Sequence, residues 1–376
     1  SGMENYDPFK DISKDKQQSI APILFATNRK IRHRLPTRFG SDRSRMLHYG
    51  ISQVEFGKNM PWKKLYRLST SMVRDADLNI SIKETQHYGS IPEHTITKNK
   101  KPKNYQQNLV GLINQQLAQS KDKELFLFIH GFNNTFNETA MRLAQMWHFM
   151  GRKGVPFLFS WPAGREGVTG YFMDKESGKY SVYHLKICLE AIAKSNAKKV
   201  HIIAHSHGTE IIASALREFY IKYKNSGKDP GKYLKLTNLI FAAADIDIDV
   251  FVFRILAENI HLMPKRLTIY INGHDRVLSI SQWIHQSFRR IGLMTPQNIT
   301  PDIQEIIRQF DTINFIYIPF RVSYLSHSYF LDNPAVSSDL IKVLRDNAKP
   351  GDEYGRPLEC DKTGIWKIYP SYPKKK

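Results

Sequence analysis

Ser206, Asp275 and His327 are of the residue types, and in the chain order, that one kind of acyl transfer requires. That chemistry needs a nucleophile, a base to take its proton, a carboxylate to orient the base, and donors for the developing oxyanion. Ser206 stands in Ala204-His-Ser-His-Gly208, with small residues two positions away on each side. This is the spacing of a nucleophile elbow, with alanine in place of the first glycine. A small-Ser-small spacing is common in any long chain, so the other groups must carry the argument. Asp275 lies in Tyr270-Ile-Asn-Gly-His-Asp-Arg276 and His327 in Leu325-Ser-His-Ser-Tyr-Phe330. Asp245, in Ala242-Ala-Ala-Asp-Ile-Asp-Ile-Asp249, competes with Asp275 for the acid role. The backbone N–H groups of Phe132 and His207 are the candidate oxyanion donors.

The surrounding elements must place these groups together. Val200, Ile202 and Ile203 read as a buried strand, and the stretch from Glu210 to Tyr223 has helical spacing, so Ser206 falls at a strand-to-helix turn. Leu125–Ile129, Val155–Phe159, Leu236–Ala243, Arg266–Ile271 and Ile313–Ile318 are further apolar strands. Helices are expected at 108–120, 138–151, 181–195 and around 250–258. Fully apolar strands alternating with helices predict a mainly parallel sheet covered on both faces. Asp275 and His327 then follow the carboxyl ends of core strands, the edge at which such sheets place ligands.

Earlier in the chain, Pro22–Ala26, Gly50–Phe56 and Leu78–Ile82 predict an N-terminal antiparallel extension. The expected layout is a lead-in over 1–20, a single α/β domain over 21–347 and a tail over 348–376. Segments 163–180 and 280–312 are candidate caps. The first is long, polar and Gly-containing, and reads as either a functional loop or a locally disordered stretch. In the second, Ile280, Trp283, Ile284, Phe288 and Ile291 share one helical face.

With 376 residues, 41% of them hydrophobic and 12% aromatic, the chain can bury a large core. Two cysteines are too few for a disulfide framework. Ser1-Gly2 before Met3 reads as a tag remnant, and neither a secretory signal nor a membrane span is evident, so a cytoplasmic location is expected. The net charge of +20 points to acidic partners, an anionic membrane surface among them. The excess is split evenly between residues 1–120 and the remainder, which describes a generally basic surface rather than a localised nucleic-acid motif.

His201, His205 and His207 alternate but lack the companion spacing of a metal site, and Asp245, Asp247 and Asp249 lack the glycine turn and closing glutamate of a calcium loop. No phosphate-binding glycine signature is present. Neither metal nor organic cofactor is expected.

The ordered set Ala26-Thr-Asn-Arg29, His130-Gly-Phe-Asn133, Phe159-Ser-Trp-Pro162, Ala204-His-Ser-His-Gly208, His274-Asp-Arg276 and His327-Ser-Tyr-Phe330 resembles a bacterial α/β-hydrolase family of largely uncharacterised function. The resemblance spans roughly residues 20–345. It implies the α/β-hydrolase fold and a triad of Ser206, Asp275 and His327. The family usually carries methionine after the nucleophile, where this chain has His207. The expected activity is serine-dependent cleavage of carboxylic esters, with an ester or lipid as substrate. The competing expectation is a non-catalytic module of the same fold that binds a protein, membrane or nucleic acid through its basic surface. Oligomeric state is not legible from these features.

Overall fold

The computed structural model describes residues 7–32, 38–70, 78–92, 105–275, 277–279, 281, 290–299, 301–321, 327, 330 and 333–373. Its central parallel strands are β1 (Ile20–Ile31), β4 (Glu124–Ile129), β5 (Val155–Ser160), β6 (Lys199–His205), β7 (Leu236–Ala242), β8 (Arg266–Ile271) and β9 (Ile313–Tyr317). β2 (Phe39–Phe56) and β3 (Ile80–Ile91) extend one edge antiparallel, and β10 (Glu359–Cys360) and β11 (Trp366–Lys367) extend the other. The sheet runs β10-β11-β9-β8-β7-β6-β4-β5-β1-β2-β3. This is the α/β-hydrolase architecture expected, with its antiparallel N-terminal part.

The strand sequences show why both faces are covered. Every residue of β4 is buried; Leu125, Leu127 and Ile129 enter one core, while Phe126 and Phe128 enter the other. Alternate side chains of a strand point to opposite faces, so an uninterrupted apolar run must be covered twice. The first core is closed by α2 (Tyr105–Ala118), α4 (Gly167–Lys194) and α5 (Gly208–Asn225). The second is closed by α1 (Trp62–Thr70), α3 (Phe136–Phe149) and the helix Pro334–Asp346. The start of α3 is set by a capping box in which Thr135 and Glu138 satisfy each other's backbone N–H.

Several expectations need correction. Segment 163–180 is largely helical: α4 begins at Gly167 and continues without a break past Ser181. Its polar sequence hides this because the helix buries small or polar residues, Gly170, Asp174, Ser177, Gly178 and Ser181, rather than an apolar stripe. The expected tail, over residues 348–373, is part of the domain. β11 pairs parallel with β9, and Leu358, Ile365, Ile368 and Tyr372 are buried. Arg356 and Asp339, both fully buried, lock it down by a two-point ion pair of 2.7 and 2.8 Å.

The lead-in is not wholly loose either: Phe9 is buried against Trp62, Tyr66 and His148. Within 280–312 the helix Pro301–Gln309 is present. Most of the expected apolar face over 280–291, including Trp283, Ile284 and Phe288, lies outside the described residues. Among the described residues no helix is long and apolar enough to cross a membrane.

Candidate active site

The turn from β6 into α5 holds Ser206 at φ 53°, in the left-handed region that a non-glycine residue enters only at a cost of about 1–3 kcal/mol. Hydrogen bonds hold it there. Its N–H donates to the Ala242 carbonyl at 2.9 Å, and its carbonyl accepts from Thr209 N at 3.0 Å and Thr209 Oγ1 at 2.6 Å. Close approach by the His130 loop explains the glycines on either side. A Cβ at Gly131 would lie 2.8 Å from Ser206 Cβ, and one at Gly208 would lie 2.5 Å from the His130 carbonyl. Gly208 is therefore required by packing against the neighbouring strand end.

Asp275 follows β8 and is fully buried. Its Oδ1 accepts from Leu278 N at 3.0 Å, so the carboxylate also caps the turn that follows it. His327 Nδ1 stands 2.9 Å from Asp275 Oδ2 and 3.1 Å from Oδ1. The His327 ring lies 4.7 Å from that of His205, the residue immediately before Ser206. The candidate base and the candidate acid are thus joined beside the elbow. Among the described residues, no hydrogen bond links Ser206 Oγ to His327; such bonds are often long until substrate is bound.

Asp245 is engaged elsewhere. Its carboxylate accepts from Ser281 Oγ at 2.9 Å and Tyr171 OH at 3.4 Å, and lies 3.3 Å from Arg290 Nε. Burial pushes this carboxyl up, but Arg290, His207, Ser281 and Lys175 together outweigh it and hold it below the usual carboxylate range. Asp247 caps the short helix Ile248–Phe251 through its side chain.

The candidate oxyanion donors sit on the two loops that meet at the elbow. Among the described residues, the N–H groups of Phe132 and His207 make no hydrogen bond to a backbone carbonyl. The His207 side chain points away toward α4: its Nδ1 lies 3.3 Å from Glu210 Oε2, and its ring packs edge-on against Trp161 at 5.7 Å. Gly178 of α4 makes room for it, since a Cβ there would lie 2.6 Å from His207 Nε2.

Sequence reasoning left three supporting residues without a role. Arg29 is fully buried at the end of β1 and donates to Ser160 Oγ, Gly40 O, Ala163 O and Asn134 O at 2.7 to 3.2 Å. Burial pushes its guanidinium down to about 9. His130 is buried to the point that its imidazole titrates well below the ordinary range. The hydrogen-bond pattern fits one neutral tautomer, in which Nδ1–H donates to Gly131 O at 2.8 Å and Nε2 accepts from Trp161 N at 3.1 Å. Asp174 of α4 bridges the two loops, accepting from Gly164 N at 3.0 Å and from Asn133 N and Arg165 N, each at 3.4 Å. The one sequence signal for these residues is polarity where a core is expected, as in Thr27-Asn28-Arg29 at a strand end.

The remaining histidine of the alternating trio is structural. His201 stacks on Phe126 at 4.8 Å and lies 3.0 Å from Asn238 Nδ2 and 3.5 Å from Glu124 Oε2.

A mainly parallel sheet whose central strand ends in a strained serine, with helices on both faces, defines the α/β-hydrolase class. The chain belongs to the family described as alpha/beta hydrolase of unknown function (DUF900), which matches residues 106–345. The match includes Ser206, Asp275 and His327 but not Arg29 or the antiparallel edge. A comparison with curated proteins found no match.

Proposed function

We propose that the protein is a serine hydrolase that cleaves carboxylic esters through a Ser206 acyl-enzyme. The observation that carries this reading is the His327–Asp275 pair standing beside a serine held at φ 53°. In this reading Ser206 Oγ attacks the ester carbonyl while its proton passes to His327 Nε2. Asp275 holds the imidazole by Nδ1–H, and the Phe132 and His207 N–H groups receive the oxyanion. Collapse breaks the bond to the alkoxy group, which leaves as the alcohol with the proton from His327. Water then attacks the acyl-enzyme, gives its proton to His327, and releases the acid as Ser206 is restored.

Replacing Ser206 by Ala should abolish turnover of short p-nitrophenyl esters and labelling by a fluorophosphonate while leaving the melting temperature near that of the wild type. Full turnover by that variant would end the assignment.

A lipid or phospholipid at an anionic interface is the substrate class this surface favours. Val168, Phe172 and Met173 on the first turns of α4 are about half exposed, and the chain carries a net charge of +20. Exposed apolar side chains on a basic body suit a surface that is apolar beneath and negative above. Hydrolysis of anionic liposomes in preference to neutral ones tests this, and inactivity on both counts against it.

A further inference from the structure

His205 closes β6, is 2% exposed, and is not needed for the chemistry proposed for the triad. Its Nε2 lies 3.1 Å from the backbone carbonyl of His327. Since a carbonyl only accepts, the proton is on Nε2. Nδ1 is then the bare nitrogen, and among the described residues it has no hydrogen-bond partner. A Cβ at Gly131 would stand 3.0 Å from it, so the oxyanion loop is pressed against that side of the ring. The ring also has aromatic neighbours, with centroids 4.7 Å away at His327 and 4.8 Å away at Phe330.

His327 is not carried on a described strand or helix. Among the described residues it is held at two places: Nδ1 by the Asp275 carboxylate, and its own carbonyl by His205. One hydrogen bond at Nδ1 fixes a pivot and leaves Nε2 free to swing. A second, at the backbone of the same residue, fixes the direction in which the ring projects. The strand end that carries the nucleophile therefore also holds the base.

Resting on the proposed triad, we infer that His205 is a positioning residue for His327. Its Nε2–H grips the His327 carbonyl so that the imidazole meets Asp275 and Ser206 together. A neutral donor suits this place. A lysine or arginine would oppose the positive charge that His327 gains when it takes the Ser206 proton, whereas burial keeps His205 uncharged, with its titration well below the ordinary histidine range.

The test compares the full-length wild type with His205→Phe, which keeps a ring and removes the donor, and His205→Gln, which keeps an uncharged donor. The readouts are the rate of covalent labelling by a fluorophosphonate, kcat and KM on a p-nitrophenyl ester, and the melting temperature. Misplacement of a reacting group by about 1 Å costs on the order of 100-fold, so His205→Phe should slow labelling and kcat by about 10- to 100-fold. KM should stay within about twofold, since only the reacting geometry is disturbed. His205→Gln should recover most of the rate.

Wild-type labelling in His205→Phe overturns the inference. So does His205→Gln as slow as His205→Phe with both melting like the wild type. Absence of labelling in the wild type itself defeats the serine-hydrolase reading and this inference with it, so the two failures are told apart by the control.

Discussion

His327 Nδ1 lies 2.9 Å from Asp275 Oδ2, whereas the rival carboxylate of Asp245 is held by Ser281, Tyr171 and Arg290. The two aspartates should separate cleanly on substitution. Asp275→Asn is expected to lower kcat by about 10³- to 10⁴-fold, because it removes the group that orients the base. Asp245→Asn should lower kcat by less than about tenfold and cost more in melting temperature, since it leaves Arg290 buried without its counter-charge. Ester kinetics and thermal melts of both variants check this, and the reverse ranking in kcat would transfer the acid role to Asp245.

Gly178 and His207 offer a packing test. Adding a methyl group at Gly178 would place it 2.6 Å from His207 Nε2, so Gly178→Ala should lower both stability and turnover by displacing the imidazole beside the elbow. His207→Ala removes the obstacle. In a double-mutant cycle the pair should be less damaging than the sum of the single changes, with a coupling on the order of 1 kcal/mol in denaturant titrations. Strict additivity would mean that the contact carries no strain.

Arg29 should matter for stability before it matters for chemistry. Arg29→Met strands the carbonyls of Ala163, Asn134 and Gly40 in the interior, and unsatisfied buried acceptors cost about 1–3 kcal/mol each. Urea unfolding should show a loss of several kcal/mol. Arg29→Lys should recover little of it, because one ammonium cannot reproduce a planar fork that reaches three directions. Full recovery by lysine would show that charge alone is required.

His48 predicts a specific acid sensitivity. Burial first, then His87 and His184, push its imidazole down to about 4, against an unfolded value of about 6.5. Between those values the unfolded chain takes up a proton that the folded chain refuses, so stability falls as pH drops from about 6.5 toward 4. His48 sits between Ser44 Oγ at 2.9 Å and Ser90 Oγ at 2.7 Å, contacts that glutamine can partly replace. The melting temperature of His48→Gln should therefore fall less over that pH interval than that of the wild type. Parallel curves would count against the assignment.

The strands and the elbow were legible in the chain because they are local. β4 is an unbroken apolar run from Leu125 on, and a serine between Ala204 and Gly208 at a change from strand to helical spacing marks its own turn. The order of a serine, an acid and a histidine followed from strand ends, with Asp245 left beside Asp275 as a candidate for the acid. α4 was not legible over its first turns, since its buried face there is glycine, serine and aspartate, chosen for close approach and loop binding rather than for hydrophobic burial. The tail from 348 was hidden for a related reason: an ion pair between Asp339 and Arg356 has no periodicity to read.

What the sequence determined by itself was a parallel sheet and a set of candidate reactive groups at its carboxyl edge, because side-chain period and turn residues act over a few positions. Which aspartate faces His327 was decided only in three dimensions. So were the assembly of Arg29, His130 and Asp174 around the loops, and the contact of His205 with the His327 carbonyl. Those contacts join segments separated by tens of residues, and the free energy that selects among them depends on distance and burial, which chain order does not contain.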